Sequence, residues 1–290
     1  MFSISVEYNI IEQIIPLPDL IICHYRTIFV PNGFCADIMR VTTNQETVLD
    51  KNSEKIEFPM RLARFMSLAG VASRRESETQ ITSGKVKVNG KTITVNGCKV
   101  NVADQVEVDG KVISLGRRYY IMLNKPPGYT CTAADPYAEK IVFELVDLPD
   151  VRLFSAGRLD RDSEGLLILT NDGDYSARLT HPRYNILKRY HVQTDRPIPE
   201  DILDQLRRGI VDEGERLVPE SIVCERPCCY NFILNEGKKR EIRRMVNYAE
   251  AKTLVLRRLS IGALELGELP SGKWRELSQD EIDASLQNIS

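Results

Sequence analysis

The chain has no long apolar run and no basic leader. Its most apolar early stretch, residues 10–30, is broken by charged residues and prolines. A helix that crosses a bilayer needs about 20 consecutive apolar residues, so a membrane span is excluded. A secretory signal would need a basic start and a clean apolar core, and the acidic residues argue against a mitochondrial transit peptide. We therefore expect a cytoplasmic protein.

Cysteine and histidine give no sign of a disulfide framework or a metal centre. The seven cysteines are odd in number and never form a C-x-x-C pair, which is typical of reduced cysteine. None of the three histidines stands at ligand spacing from a cysteine cluster, so we expect no metal. With 290 residues, of which 42% are hydrophobic and 28% charged, the chain is long enough for two soluble domains.

A strong positive charge is also missing, since the formal net charge is only −2. The charges are unevenly distributed, however. Residues 1–59 carry four basic and eight acidic side chains, whereas residues 60–117 carry ten basic and five acidic ones. A nucleic-acid backbone responds to local charge, so the second region is a candidate RNA-binding module inside a nearly neutral chain.

The basic region has the pattern helix, helix, hairpin. Apolar residues recur at helical spacing over residues 62–69 and are followed by a glycine. Ser73, with Glu76 three residues later, predicts the capped start of a second helix. Asn89-Gly90 is a strong signal for a tight hairpin turn. Arg74-Arg75 stands at a helix start, where the helix dipole repels cations, so an external anion such as phosphate is indicated.

The order of these elements resembles the S4 RNA-binding domain, and the resemblance covers residues 60–117. A small α+β domain with an ordinary solvated charged face is the alternative for this region. Residues 1–59 are expected to be an extension that is poorly ordered or an artefact of the start site, with a flexible linker near residues 44–57. Translation from Met60 is one hypothesis for this region.

The most informative stretch is GRLDRDSEGLLILTNDG, from Gly157 to Gly173. Its apolar half predicts a buried central strand, and Asp160 lies on the short loop before that strand. A loop carried by a buried strand is a rigid support for a reactive side chain. An isolated aspartate in a loop is usually just solvated, so the whole string carries the functional interpretation.

This string resembles the catalytic motif of the S4-domain-containing ribosomal RNA pseudouridine synthases. Three further strings resemble the same family: NKPPG from Asn124, the K-x-Y of Lys188 to Tyr190, and GKKREIRRM from Gly237. The resemblance implies a catalytic aspartate at Asp160, an active-site tyrosine at Tyr190 and an arginine at Arg243 that pairs with Asp160. The family often has Gln where this chain has Glu241, to which we assign no role.

The resemblance also implies an α+β fold, in which residues 118–285 form the catalytic domain around a mixed, mainly antiparallel sheet. No cofactor is implied. The expected partner is ribosomal RNA or a pre-ribosomal particle, and we expect a monomer. By charge and motif, the side chains expected to contact RNA are Arg61, Arg64, Arg74, Arg75, Lys85, Lys87, Lys125, Arg158, Lys238, Lys239, Arg240 and Arg244.

A carboxylate suits the isomerisation of uridine to pseudouridine, in which the N1–C1′ bond breaks and a C5–C1′ bond forms. It could attack or stabilise C1′, or remove a proton from the sugar, and the sequence leaves these roles open. We expect the target in large-subunit rRNA, with small-subunit rRNA as the alternative. A non-catalytic S4-type RNA-binding protein and a nucleoside hydrolase are the rival functions. A single acid without a second paired carboxylate speaks against hydrolysis.

Overall fold

The structure, a computed structural model, describes residues 46–49, 55–132, 139–148 and 151–288. The chain divides into two compact units, Met1–Arg118 and Tyr119–Ser290. Within the described ranges, no helix is long and apolar enough to cross a membrane.

The first unit contains two short helices and several two- to four-residue strands. A four-stranded antiparallel sheet has the order β5-β4-β7-β8, and the pairs β1-β2 and β3-β6 are separate. The elements are β1 (Glu46–Leu49), β2 (Lys55–Phe58), β3 (Met60–Arg61), α1 (Leu62–Leu68), α2 (Arg74–Thr82), β4 (Val86–Val88), β5 (Lys91–Ile93), β6 (Lys99–Val100), β7 (Val106–Val108) and β8 (Lys111–Ile113).

The predicted order of helix, helix and hairpin is confirmed, and the predicted signals explain it. The Ser73 hydroxyl accepts a hydrogen bond from the Glu76 amide at 3.2 Å and so begins α2. Asn89 and Gly90 adopt φ angles of 50° and 77°, as the two-residue turn between β4 and β5 requires. The tight turn therefore sets the register of the β4–β5 hairpin.

The expected flexible linker is a hairpin where the structure describes it. Strands β1 and β2 pair antiparallel, with Glu46 opposite Phe58. Ile56 and Phe58 are buried, at 3% and 2% exposure, in the core of the first unit beside Met60 and Phe65. The expectation that residues 1–59 form a poorly ordered extension is therefore wrong for β2, because alternate residues of that strand are apolar and pack into the core. The rest of that stretch, residues 1–45 and 50–54, lies outside the described residues.

The second unit is built on a mixed sheet with the strand order β15-β16-β12-β17-β11-β9-β19. Strand β10 adds to β11, and β18 adds to β17. All pairings are antiparallel except that between β11 and β17. The elements are β9 (Tyr120–Lys125), β10 (Phe154–Ala156), β11 (Glu164–Thr170), α3 (Gly173–Thr180), β12 (Lys188–Thr194), α4 (Glu200–Arg208), β13 (Ile210–Asp212), β14 (Glu215–Leu217), β15 (Ser221–Arg226), β16 (Cys229–Leu234), α5 (Glu241–Tyr248), β17 (Thr253–Ile261), β18 (Leu264–Glu265), β19 (Trp274–Glu276) and α6 (Gln279–Ser285), with 3-10 turns at Val142–Leu145 and Pro182–Tyr184.

Strand β11 is the buried centre of this sheet, as predicted. Leu167 and Leu169 join a core that includes residues of α4 and α5, and Leu166 and Ile168 join a second core that includes residues of α3 and α6. A strand covered on both faces must be apolar at every position, which explains the run after Gly165. The fold is α+β, as expected, and its two cores make the sheet a rigid support.

Candidate active site

Asp160 lies on the loop that joins β10 to β11. The Ser163 amide donates a hydrogen bond to the Asp160 carbonyl oxygen at 3.1 Å, so residues 160–163 form a tight turn. The preceding residue, Leu159, is buried in the core. The side chain of Asp160 remains 35% exposed. The loop therefore fixes the backbone of Asp160 and leaves its carboxylate accessible.

Lys125, the last residue of β9, binds the backbone of this turn. Its side chain is completely buried, and its ammonium donates hydrogen bonds to the carbonyl oxygens of Ser163 at 2.6 Å, Arg161 at 3.2 Å and Pro126 at 3.2 Å. The Gly128 amide adds a bond to the Arg161 carbonyl at 2.6 Å. Hydrogen bonds from the NKPPG turn therefore fix the backbone of the Asp160 loop.

The burial of Lys125 corrects its predicted role as an RNA contact. Desolvation lowers the pKa of its ammonium, and the nearby Cys131 and three carboxylates oppose that shift. A phosphate cannot reach a side chain with 0% exposure in this structure. Lys125 positions the loop instead.

Cys131 is a positioning residue that the sequence did not reveal. The Leu159 amide donates to its sulfur at 3.4 Å, and the thiol lies 3.3 Å from the Leu159 carbonyl oxygen, which accepts its proton. Both backbone groups of the residue before Asp160 therefore bind one side chain. Only the folded chain brings Cys131 to Leu159, so no local pattern could have indicated it.

Two arginines approach the turn from the start of α5. Arg240 Nη1 lies 3.9 Å from Asp160 Oδ2 and 3.4 Å from Asp162 Oδ1. Arg243 Nη2 lies 3.2 Å from Asp162 Oδ2 and donates to the Asp162 carbonyl oxygen at 3.1 Å and to Ser163 Oγ at 3.4 Å. The predicted motif is therefore at the loop.

The predicted pairing of Arg243 with Asp160 is not what this structure shows. The carboxylate that Arg243 contacts is Asp162, and Arg240 is the arginine in reach of Asp160. Burial lowers the pKa of the Arg243 guanidinium, and the charge of Asp162 is the main opposing influence. Asp162 was not singled out from the sequence, because two acids two residues apart in one loop look alike there.

Tyr190 stands in a row of residues that crosses the sheet beside the loop. Backbone pairing places Phe232 next to Tyr190, Tyr190 next to Arg258, Arg258 next to Gly165, and Gly165 next to Lys125. Neighbouring strands are about 4.8 Å apart, so the backbone of Tyr190 is about 10 Å from the end of the Asp160 loop. Tyr190 is 8% exposed, as part of the core that contains Leu167.

Gly165 allows the strands of this row to approach one another. Its φ is +101°, and a Cβ at this position would lie 2.3 Å from the carbonyl oxygen of Arg258. Any side chain here would force β17 away from β11. The glycine of the S-E-G string is therefore required by the close parallel contact.

Arg258 and Lys188 are two further basic residues of this region, and the sequence analysis assigned no role to either. Arg258 is 3% exposed, and its Nε donates to the Leu166 carbonyl oxygen at 2.7 Å. Lys188 begins β12 two residues before Tyr190, and its ammonium lies 3.4 Å from the Asn235 carbonyl oxygen. Burial and then the charge of Arg258 lower the pKa of Lys188 to about 8.

The side chains expected to contact RNA differ in their exposure. Arg64 is half-buried. Lys238 is also half-buried and bonds the Glu236 carboxylate and the Arg216 carbonyl oxygen. The others that are exposed, as RNA binding requires, are Arg61, Arg74, Arg75, Lys85, Lys87, Arg158, Lys239 and Arg240.

Arg244 is fixed inside the protein, which corrects its predicted contact with RNA. Its guanidinium contacts the carboxylates of Asp212 and Glu215 and the Asp212 carbonyl oxygen. These bonds raise its pKa further above the ordinary value. The adjacent arginines of the I-R-R string therefore differ: Arg243 serves the Asp160 loop, and Arg244 ties α5 to the β13–β14 hairpin.

The helix–helix–hairpin unit and the unit with the mixed sheet each match a known protein family. The S4 domain model matches residues 60–106, and the model of the RNA pseudouridylate synthase family matches residues 119–248. Both matches fall within the units described above.

Curated relatives and a solved structure agree with these matches. An RNA pseudouridine synthase of Aquifex aeolicus is 42% identical over 230 residues, which cover 77% of this chain and 92% of that protein. The ribosomal large subunit pseudouridine synthase B of Bacillus subtilis is 36% identical over 228 residues, covering 77% and 93%. A crystal structure of a pseudouridylate synthase matches with a TM-score of 0.58 and 29% identity, over 78% of this chain and 99% of that one.

The chain belongs to the family of RNA pseudouridine synthases. It is therefore an enzyme that acts on RNA, and the rival hypotheses of a non-catalytic RNA-binding protein and a nucleoside hydrolase are set aside.

Proposed function

We propose that this enzyme isomerises a specific uridine of large-subunit ribosomal RNA, with Asp160 as the catalytic carboxylate. The observation that carries the proposal is the support of Asp160. Lys125, Cys131 and Arg243 all bind the backbone of its loop, while its own carboxylate stays open to a substrate. Such support of a single side chain by hydrogen-bonded neighbours is what a preorganised reactive group needs.

The target uridine must leave its stack to meet Asp160, so the RNA target is a loop or an opened helix. At the loop, Asp160 acts on the sugar, either at C1′ or on a sugar proton. Tyr190, in the adjacent row, offers a ring for the uracil and a hydroxyl for proton handling at C5. The overall reaction is an isomerisation, so no electrons are gained or lost.

The basic side chains of the first unit supply affinity for the RNA backbone. Arg74, Arg75, Lys85 and Lys87 are exposed there. Such contacts are salt-dependent and fix the position of the RNA, whereas they carry little sequence information. The large-subunit target is proposed from the similarity to the ribosomal large subunit pseudouridine synthase B of Bacillus subtilis, and small-subunit rRNA is the alternative outcome.

The test is pseudouridine mapping of both rRNAs from a strain that lacks the gene. One site in the large-subunit rRNA should lose pseudouridine. The wild-type gene should restore it, and the Asp160→Asn gene should not. Asp162→Asn is the matched control, since it removes a carboxylate two residues away and should retain part of the modification.

Restoration by Asp160→Asn would overturn the catalytic assignment. A missing pseudouridine in the small-subunit rRNA alone would overturn the target assignment.

A further inference from the structure

Arg258 is buried and Lys188 is half-buried, and neither cation has an ion-pair partner among the described residues. In the described part of the chain, the hydrogen bonds of both side chains go to backbone carbonyl oxygens, of Leu166 and Asn235. Other arginines of the same unit bind carboxylates: Arg189, for example, donates to both oxygens of Glu265, at 2.8 and 2.7 Å. Burying a charge without an opposite charge is costly, so an arrangement of this kind is expected where an anion arrives later.

The guanidinium of Arg258 also has unused hydrogen-bonding capacity. Its Nη2 is buried and has no acceptor among the residues that the structure describes. Burial and the repulsion by Arg258 lower the pKa of Lys188 to about 8, as expected when two cations share a poorly solvated region. An anion placed between them would relieve both costs.

The position of the pair relates it to the reaction. Arg258 is the backbone neighbour of both Tyr190 and Gly165, and its Nε bonds the carbonyl oxygen of the residue after Gly165. Lys188 lies two residues from Tyr190 on the same strand. Arg258 is therefore a member of the row that begins at the end of the Asp160 loop, and Lys188 lies next to that row on β12.

The isomerisation itself produces an anion. When N1–C1′ breaks, its electron pair stays with the uracil, and the negative charge spreads over N1 and the two carbonyl oxygens. The same base then turns, its C5 forms the new bond to C1′, the C5 proton leaves and N1 gains a proton. Until that bond forms, the detached uracil needs positive charge to hold it.

We propose that Arg258 and Lys188 are catalytic residues that bind the detached uracil anion and retain it while it turns. This proposal rests on Asp160 being the site of the reaction, and the experiment separates the two. Removing one preorganised donor to a developing anion typically costs about 100- to 1,000-fold in rate.

The experiment compares single-turnover rates of the full-length enzyme on rRNA transcripts of both subunits, made with uridine or with 5-fluorouridine. Fluorine at C5 stabilises the uracil anion, so it should replace part of what the cations contribute. Arg258→Met and Lys188→Met should slow the loss of uridine about 100-fold. With 5-fluorouridine the loss of the nucleoside should be slowed only about tenfold. Arg258→Lys, which keeps the charge, should be affected less.

Arg189→Gln is the matched control, since it removes an arginine from the same sheet, and it should leave both rates unchanged. Filter binding should give an RNA Kd within about twofold of wild type for Arg258→Met and Lys188→Met, because uniform phosphate binding is not their role. Thermal melting checks that Arg258→Met is folded. If Arg258→Met does not fold, the Lys188→Met variant still tests the proposal, because Lys188 is only half-buried.

Equal losses on uridine and 5-fluorouridine in folded variants would overturn the proposal and leave a packing role. A large rise in RNA Kd with a flatter salt dependence would overturn it in favour of phosphate binding. Asp160→Asn, measured alongside, should be inactive on both transcripts. If Asp160→Asn is active, the assignment of Asp160 fails, whatever the result for the cations.

Discussion

At the scale of single residues, the buried carboxylate of Glu241 has few stabilising partners. The side chain is 3% exposed, Oε2 accepts from the Lys238 amide at 3.0 Å, and Oε1 has no partner among the described residues. Burial raises the pKa of Glu241, and the nearby Glu236 adds to the shift. The folded protein therefore holds this proton at a higher pH than the unfolded chain does, and stability falls as pH rises between the two values.

Glu241→Gln should consequently stabilise the protein at neutral pH, by about 1 kcal/mol. The amide keeps an acceptor for Lys238 and removes the buried charge. The gain should shrink as the pH falls below the ordinary range of a glutamate, where the wild-type carboxyl is protonated in both the folded and the unfolded states. Thermal melting of both proteins at several pH values measures this, and a gain that is independent of pH would contradict it.

Substitutions of the adjacent residues Arg243 and Arg244 should separate an effect on activity from an effect on stability. Arg243→Lys should lower the single-turnover rate about 100-fold, because one ammonium cannot replace a guanidinium that bonds both Asp162 and Ser163. Arg244→Lys should mainly lower the melting temperature, since its partners are the acids of the β13–β14 hairpin. The reverse pattern would mean that the two roles are exchanged.

At the scale of elements, strand β2 belongs to the first unit, although it precedes Met60. Phe58→Ala should destabilise that unit by about 3–5 kcal/mol, because a buried aromatic side chain is replaced by a cavity. Glu57→Ala, at the exposed neighbouring position, is the control and should have little effect. Urea unfolding followed by circular dichroism measures both.

A chain that begins at Met60 should for the same reason be less stable than a chain that begins at Lys55. Equal stability of the two chains would restore the expectation that the core begins at Met60.

The elements also show what the sequence could and could not predict. Local signals were sufficient for α2 and the β4–β5 turn, because a capping serine and Asn-Gly act within a few residues. The all-apolar run of β11 was sufficient to place it in the centre of the sheet. The burial of Lys125 depends on a loop 38 positions away, so its sequence neighbours could not indicate it. The preference of Arg243 for Asp162 depends on distances that only the fold sets.

At the scale of the whole molecule, the charge balance makes RNA binding a local property of a nearly neutral chain. Reversing Arg74 and Arg75 to Glu should weaken RNA binding uniformly across sequences and reduce the slope of log K against log salt by about 2. Lys91 and Lys111, also exposed in the first unit, provide a control with the same change in charge. Their reversal should alter the slope less, and equal effects of the two double variants would show that only net charge matters. Titrations at several salt concentrations distinguish these outcomes.

The parallel pairing of β11 with β17 has a consequence for the time course of synthesis. Leu166 and Arg258, which meet in this contact, are 92 positions apart in the chain. A contact of such long range forms late, since the intervening chain must first be made and ordered. A nascent chain that ends before β17 lacks the strand that closes the sheet beside the Asp160 loop. Synthesis must therefore proceed through β17 (Thr253–Ile261) before the active site of this RNA-modifying enzyme can form.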